Sequence, residues 1–274
     1  MHFPGQIWRM FERPRAPMNE PPKSLLAGDE PPPVAIYNSG GKSPFLLLAD
    51  HAGNAIPQAL GRLGLTAAEL QRHIAWDIGI AGLGRLLADA LDAMLIRQNY
   101  SRLVIDCNRP LDAASSIPVI SEHTAIPGNA GLDQINKAAR ASEIFRPYHE
   151  CIEAELDRRR QVGHAAAPIS LHSFTPVFKG LARPWHAAVL YDRDPRFARR
   201  LKALLDAEQK FTVGENVPYS VNGATDYTIP VHAERRNLHH VLIEVRQDMI
   251  ADEDGQRAWA LRLARLLPPA YRGL

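Results

Sequence analysis

The stretch Pro44-Phe45-Leu46-Leu47-Leu48-Ala49-Asp50-His51-Ala52-Gly53-Asn54 decides how this chain is read. Its first six residues form a short, unbroken apolar run, the pattern of a β-strand covered on both faces. A polar cluster follows at once. The same form recurs along the chain. Leu103-Val104-Ile105 leads into Asp106-Cys107-Asn108-Arg109-Pro110, and the strand expected at 167–171 leads into His172-Ser173-Phe174-Thr175. The strand expected at 240–245 carries Glu244 within it and runs on to Arg246, Gln247 and Asp248. Residues 94–96 and 187–191 have strand character as well. Between the strands lie helical patterns. Thr66 with Glu69 makes a capping box. Asp77 opens a stretch with Ile78, Leu83, Leu86, Leu87, Ala90 and Leu91 at helical spacing. Residues 133–160 read as one long amphipathic helix kinked at Pro147, and residues 196–205 and 254–267 as two more helices. This alternation predicts an α/β protein, a three-layer α/β/α domain around a mostly parallel or mixed sheet. Sites in such sheets lie beyond the carboxyl ends of the strands.

The bulk properties narrow the function classes. A length of 274 residues suffices for one domain with a sizeable core. A formal net charge of +2 gives no reason to expect nucleic acid or an acidic membrane as partner. No apolar run reaches the roughly 20 residues that span a bilayer. The N-terminus lacks the apolar segment and cleavage site of a secretory signal, so a cytoplasmic protein is expected. Cys107 and Cys151 are too few for a disulfide framework, and no CxxC pair suggests a thiolate metal site. Residues 1–33, rich in proline and charge and ending in Glu30-Pro31-Pro32-Pro33, read as a tail or strap. Residues 34–274 read as a single catalytic domain.

The polar residues at the strand ends suggest metal-assisted hydrolysis. Two histidines from separate strands, His51 and His172, together with a carboxylate, make the ligand set of a catalytic zinc that keeps one position open. Zinc brings the pKa of water towards about 7, and a nearby carboxylate can accept its proton. Glu244 is the candidate base, because an acid interrupting an apolar strand is costly unless it is paired or used. The same residues also admit a plainer reading, in which the histidines are satisfied core groups and Glu244 is ion-paired to an arginine. For the third ligand Asp77 is preferred, although an aspartate opening a helix also serves as an N-cap. Asn54 stands three residues after His51, where HxxE zinc enzymes place a glutamate. Its amide oxygen is a poor zinc ligand, so it is assigned to substrate contact. Asn108 and Arg109, ahead of a proline, are expected to grip a substrate carboxylate, with a structural Asp106–Arg109 brace as the alternative. Arg246 is a second candidate anion contact, and His232 a candidate donor to a tetrahedral oxyanion. There is no G-x-S-x-G elbow, and Ser39-Gly40-Gly41-Lys42 lacks P-loop spacing.

Five motifs in order, LADHAGNAIP at 48–57, IAWDIG at 74–79, SRLVIDCNRP at 101–110, SLHSFTP at 170–176 and VLIEVRQD at 241–248, resemble the N-formylglutamate amidohydrolase family. The resemblance spans roughly residues 34–267. It implies a zinc-exopeptidase-like α/β/α domain and one Zn2+ per chain, with manganese or iron also suited to such ligands. It also implies hydrolysis of a small N-formyl or N-acyl amino acid, as in histidine degradation. A cell-wall-type amidase is a second enzymatic reading, and a metal-free binding protein for an acidic metabolite is the reading outside enzymes. Oligomeric state is not legible.

Overall fold

All five residues from Phe45 to Ala49 are buried, as an unbroken apolar strand requires, and they alternate between two cores. Phe45, Leu47 and Ala49 join one cluster, while Leu46 and Leu48 join the other. The computed structural model describes residues 24–274. Its elements begin with β1 (Val34–Tyr37), β2 (Phe45–Ala49), α1 (Ala67–Leu70), α2 (Ile80–Leu91) and β3 (Met94–Gln98). A hairpin of β4 (Ile120–Ser121) and β5 (Thr124–Ala125) precedes α3 (Gln134–Arg140) and α4 (Arg146–Gln161). Then come β6 (Ala167–Phe174) and a second hairpin of β7 (Val177–Phe178) and β8 (Leu181–Ala182). The chain closes with β9 (Ala187–Leu190), α5 (Arg196–Asp206), β10 (Val213–Glu215), β11 (Val241–Arg246) and α6 (Glu253–Tyr271).

The central sheet has seven strands in the order β1-β3-β2-β6-β11-β9-β10. The inner four, β3, β2, β6 and β11, are parallel, while β1 pairs antiparallel with β3, and β9 antiparallel with β11. Helices α2, α5 and α6 cover one face and α4 the other. This is the α/β/α arrangement with a mixed sheet expected from the alternation. The chain leaves β2 for β3 on one side and reaches β6 on the other, so the crevice between β2 and β6 is the topological switch point.

Three local expectations are corrected. Leu103-Val104-Ile105 is fully buried but is not a strand. It lies in turns tied down by Ser101, whose hydroxyl donates to Ala75 O and accepts from Leu103 N. An apolar run reports burial and leaves strand pairing open. Helix α2 starts at Ile80 after Gly79, so Asp77 stands before the helix and does not cap it. Gly79 has φ +86°, and a Cβ there would meet Ile250 O at 2.2 Å. The long helix is interrupted by a π turn at Ala141–Phe145. Pro147, lacking an N–H and crowding the preceding turn, follows directly on that widened turn. The Thr66–Glu69 capping box is present.

Residues 1–23 of the expected tail lie outside the described residues. Residues 24–33 run along the domain. Leu25 N and Leu26 N donate to Glu143, and the carbonyls of Pro31 and Pro32 accept from Tyr100 and Asn99. Among the described residues no helix is long and apolar enough to cross a membrane.

The junction of α4 with the segment before β11 holds two buried imidazoles. His149 Nε2 donates to Cys107 O at 2.8 Å, so its Nδ1 accepts from His232 Nε2 at 2.9 Å. His232 is thereby committed to His149 and does not line the cleft described below. Burial holds His149 down at about 4 and, with His149 alongside, His232 at about 3. The unfolded chain binds protons on both below about 6.5, whereas the folded chain keeps them neutral. The stability held by this pair is therefore complete above about pH 6.5 and is lost as pH falls towards about 4. Melting temperature should drop across that window, and less steeply in His232→Gln. An unchanged slope in the variant would rule the pair out as its cause.

Candidate active site

Strands β6 and β11 pair in parallel with His172 opposite Glu244. Partners in register share a face of the sheet, so both side chains point away from the α2/α5/α6 core. His51 follows β2 by two residues. The segment before α2 is tied to it by Asp77 N donating to His51 O at 2.8 Å. Four stretches separate in sequence thus meet at the switch point.

The result is a buried cluster of imidazoles and carboxylates. One atom each from His51, Asp77 and His172 lie within 4.8 Å of one another. Asp77 Oδ2 stands 2.9 Å from His172 Nδ1 and 3.5 Å from His51 Nδ1, and it accepts from Ser173 N at 3.2 Å. The outward nitrogen of each ring meets a further carboxylate. His51 Nε2 donates to Asp106 Oδ1 at 2.7 Å, and His172 Nε2 lies 3.2 Å from Asp50 Oδ2 and 2.9 Å from Ser170 Oγ. Asp50 is also held by Thr228 Oγ1 at 2.8 Å. Arg102 bridges Asp77 at 3.3 Å and Asp106 at 3.1 Å.

The electrostatics follow from this packing. Burial works against the charged form of each group, yet the neighbouring charges prevail for the carboxylates. Asp50 is held at about 2, chiefly by His172, and Asp77 and Asp106 are held well below the usual carboxylate range by the imidazoles and Arg102. His172 is raised well above 6.5 by its bonds to Asp50 and Asp77, despite burial. Glu244 moves the other way. Burial lifts it to about 7, with the His172 imidazole pulling against the rise and the Asp77 charge adding to it. Its Oε2 is buried without a hydrogen-bond partner, so it is not the ion-paired glutamate of the plainer reading.

A cleft of about 300 Å³ opens above the cluster. His51, Asp77, His172, Glu244, Asn108 and Arg109 line it, whereas Asn54 and Arg246 do not. Asn54 Nδ2 donates to Leu70 O at 3.4 Å. Arg246 pairs with Asp248 and donates to the carbonyls of Arg183 and Trp185. Asn108 Oδ1 accepts from Tyr227 N and Thr228 N, which ties the loop before β11 to the cleft wall. Arg109 pairs with Asp226 at 2.9 Å rather than with Asp106. Sequence reasoning gave no role to Asp50 or Arg102, and gave Asp106 only the alternative brace to Arg109. The available signal was an acid directly beside His51 and a second acid closing an apolar run.

The donor set fits a divalent cation. With Nε2–H committed to Asp106, His51 presents a bare Nδ1 towards Asp77, and that nitrogen is buried without a hydrogen-bond partner. Among the described residues the three buried carboxylates, Asp50, Asp77 and Asp106, have one permanently charged partner between them, Arg102, which pairs with Asp77 and Asp106. Two imidazolium protons, or one divalent ion between neutral imidazoles, would balance that charge.

Residues 43–251, well over half the chain, match the N-formylglutamate amidohydrolase family. A gene product of Agrobacterium tumefaciens is similar in structure, with 37% sequence identity and a TM-score of 0.87 over 90% of this chain and 97% of that one. N-formylglutamate amidohydrolase from Ralstonia eutropha JMP134 is 18% identical and shares the fold, with a TM-score of 0.62 over 88% of this chain and 99% of that one. No curated protein matches the chain. With the family match, fold and site define an α/β amidohydrolase. The chain belongs to the N-formylglutamate amidohydrolase family.

Arg102 offers a direct check on the charge balance. Arg102→Met leaves Asp77 and Asp106 without their guanidinium and should cost about 1–3 kcal/mol of stability. Urea unfolding reads this as a lower midpoint. A midpoint equal to that of the wild type would mean that solvent screening, and not the guanidinium, carries those carboxylates.

Proposed function

We propose that the protein hydrolyses the amide bond of N-formyl or N-acyl acidic amino acids, with N-formylglutamate the first candidate, in a metal-dependent reaction. The observation that carries this reading is the buried charge balance at His51, Asp77 and His172, which one divalent ion would complete. These three residues would hold the ion, zinc being the ligand set's natural occupant. When bound, it would supply Lewis acidity, polarising the scissile carbonyl and making water more acidic.

The protein's own groups do the rest. Glu244, lifted to about 7, takes a proton readily near neutrality and gives it back. It accepts the proton of the attacking water as the new C–O bond forms. It then delivers that proton to the amine nitrogen as the C–N bond breaks, leaving formate or another carboxylate and a free amino acid. Asp106 and Asp50 hold the two imidazoles in fixed tautomer and orientation. Leu190, Val221 and Leu242 supply an apolar wall that limits water beside Glu244. Partners are thus small acylated amino acids, and a cytoplasmic site of action accords with such substrates.

The test is metal content of protein purified without chelator, together with formate release from N-formylglutamate. About one zinc per chain with turnover is expected. Glu244→Gln should retain the metal and lose roughly 10²–10⁴ in kcat, while His51→Ala should lose both metal and turnover. Robust activity in Glu244→Gln would remove it as the base. Absence of metal after zinc is supplied would defeat the hydrolytic mechanism and leave a binding protein.

A further inference from the structure

The cations around the cleft are mostly committed. Arg72 pairs with Glu122, Arg102 with Asp77 and Asp106, and Arg109 with Asp226. Arg183 has no carboxylate partner among the described residues, although it is only 8% exposed. A guanidinium is rarely buried that far without a counter-ion.

Arg183 directly follows β8, and its backbone N–H donates to Pro176 O at 2.8 Å across the β7–β8 hairpin. Arg246 Nη1 donates to Arg183 O at 3.3 Å, so the segment is held from both sides. The guanidinium carbon lies 4.7 Å from the Phe178 ring centroid, 4.8 Å from Tyr219 and 5.8 Å from Phe174. Three ring faces offset part of the cost of burying the charge. Its only polar side-chain contact among the described residues is Nη1 donating to Tyr219 Oη at 2.8 Å. Nε and Nη2 have no hydrogen-bond partner among the described residues. Because Oη accepts from the guanidinium, the phenol proton is free to point elsewhere. Tyr219 and Phe178 both line the cleft that holds Glu244, and Arg183 packs directly behind those two rings.

We infer that Arg183 and Tyr219 form the subsite that grips a carboxylate of the substrate, the guanidinium supplying the charge and the phenol a neutral donor beside it. This rests on the reading of the protein as an acyl amino acid hydrolase and says where that substrate's acid group sits. Arg109, the residue the motif suggested for this task, instead braces Asp226 and the carbonyl of Thr225.

The experiment compares wild type, Arg183→Gln, Arg183→Lys and Tyr219→Phe on N-formylglutamate and on its diamide, in which both carboxylates are amides. On N-formylglutamate, Arg183→Gln should raise KM roughly ten- to hundredfold with kcat held within about threefold, and Tyr219→Phe should raise KM roughly two- to tenfold. Arg183→Lys should recover part of the loss. On the diamide, wild type and Arg183→Gln should converge, because neither has a carboxylate to grip. An unchanged KM in Arg183→Gln, or an equal loss on both substrates, overturns the subsite while leaving the proposed function in place. If the wild type turns over no acyl amino acid, that function fails. Calorimetric titration with L-glutamate then decides the subsite: weaker binding by Arg183→Gln supports it, and equal or absent binding overturns it.

Discussion

Asp77 sits between two imidazoles, each backed by another buried carboxylate, and the site depends on that chain of charges. Removing Asp50, Asp77 and Asp106 from water would be prohibitive without compensation. Here each meets a ring nitrogen, a hydroxyl, a backbone N–H or the Arg102 guanidinium. The outer carboxylates fix ring orientation and tautomer, so the inward nitrogens converge without waiting for a ligand to gather them. Deep burial lowers the local dielectric and makes each of these contacts directional and costly to break.

The sheet converts that local chemistry into a cleft. Register between β6 and β11 sets His172 beside Glu244, and the same strands turn Ile169, Leu171, Ile243 and Val245 into the opposite core. A one-residue slip would send the functional side chains into the apolar layer, so hydrophobic burial on one face enforces the chemistry on the other. Glu244 shows what the apolar floor does. It lies in a strand buried from Val241 to Val245, with one oxygen unpartnered, and desolvation lifts its pKa to about 7. The neighbouring aspartates stay ionised because they have partners. One environment thus separates carboxylates into structural anions and a proton carrier.

Around the cleft, cations serve largely as braces. Arg102 joins two acids, Arg109 pins the loop at Asp226, and Arg246 supports the backbone of Arg183 and Trp185. Asn108 works in the same way, accepting two backbone N–H groups from the loop before β11. A guanidinium close to a reactive centre is therefore weak evidence of substrate contact until its partners are counted. That count is what separates Arg183 from its neighbours.

Much of the fold was legible in the sequence because burial of a parallel strand leaves a direct trace, an apolar run such as Phe45–Ala49 or Val241–Ile243, and helices leave their own periodicity and caps. The candidate site was legible in part for a related reason. His51, His172 and Glu244 are expensive at or beside such runs, so their presence there signals use or pairing. What the sequence could not reveal is which groups become partners. Leu103–Ile105 was as apolar as a strand yet folds as turns, since composition records burial and not hydrogen-bond pairing. Asp77 resembled a helix cap, and only the folded chain brings it to His172, 95 residues away. By itself the sequence determined the layers of the domain, the apolar faces of its strands and the acids and imidazoles that interrupt them. The tertiary structure alone decided which carboxylate meets which ring, and which arginines beside the cleft are neutralised by a carboxylate and which, like Arg183, are not, because charge pairing depends on distances between segments that local sequence does not encode.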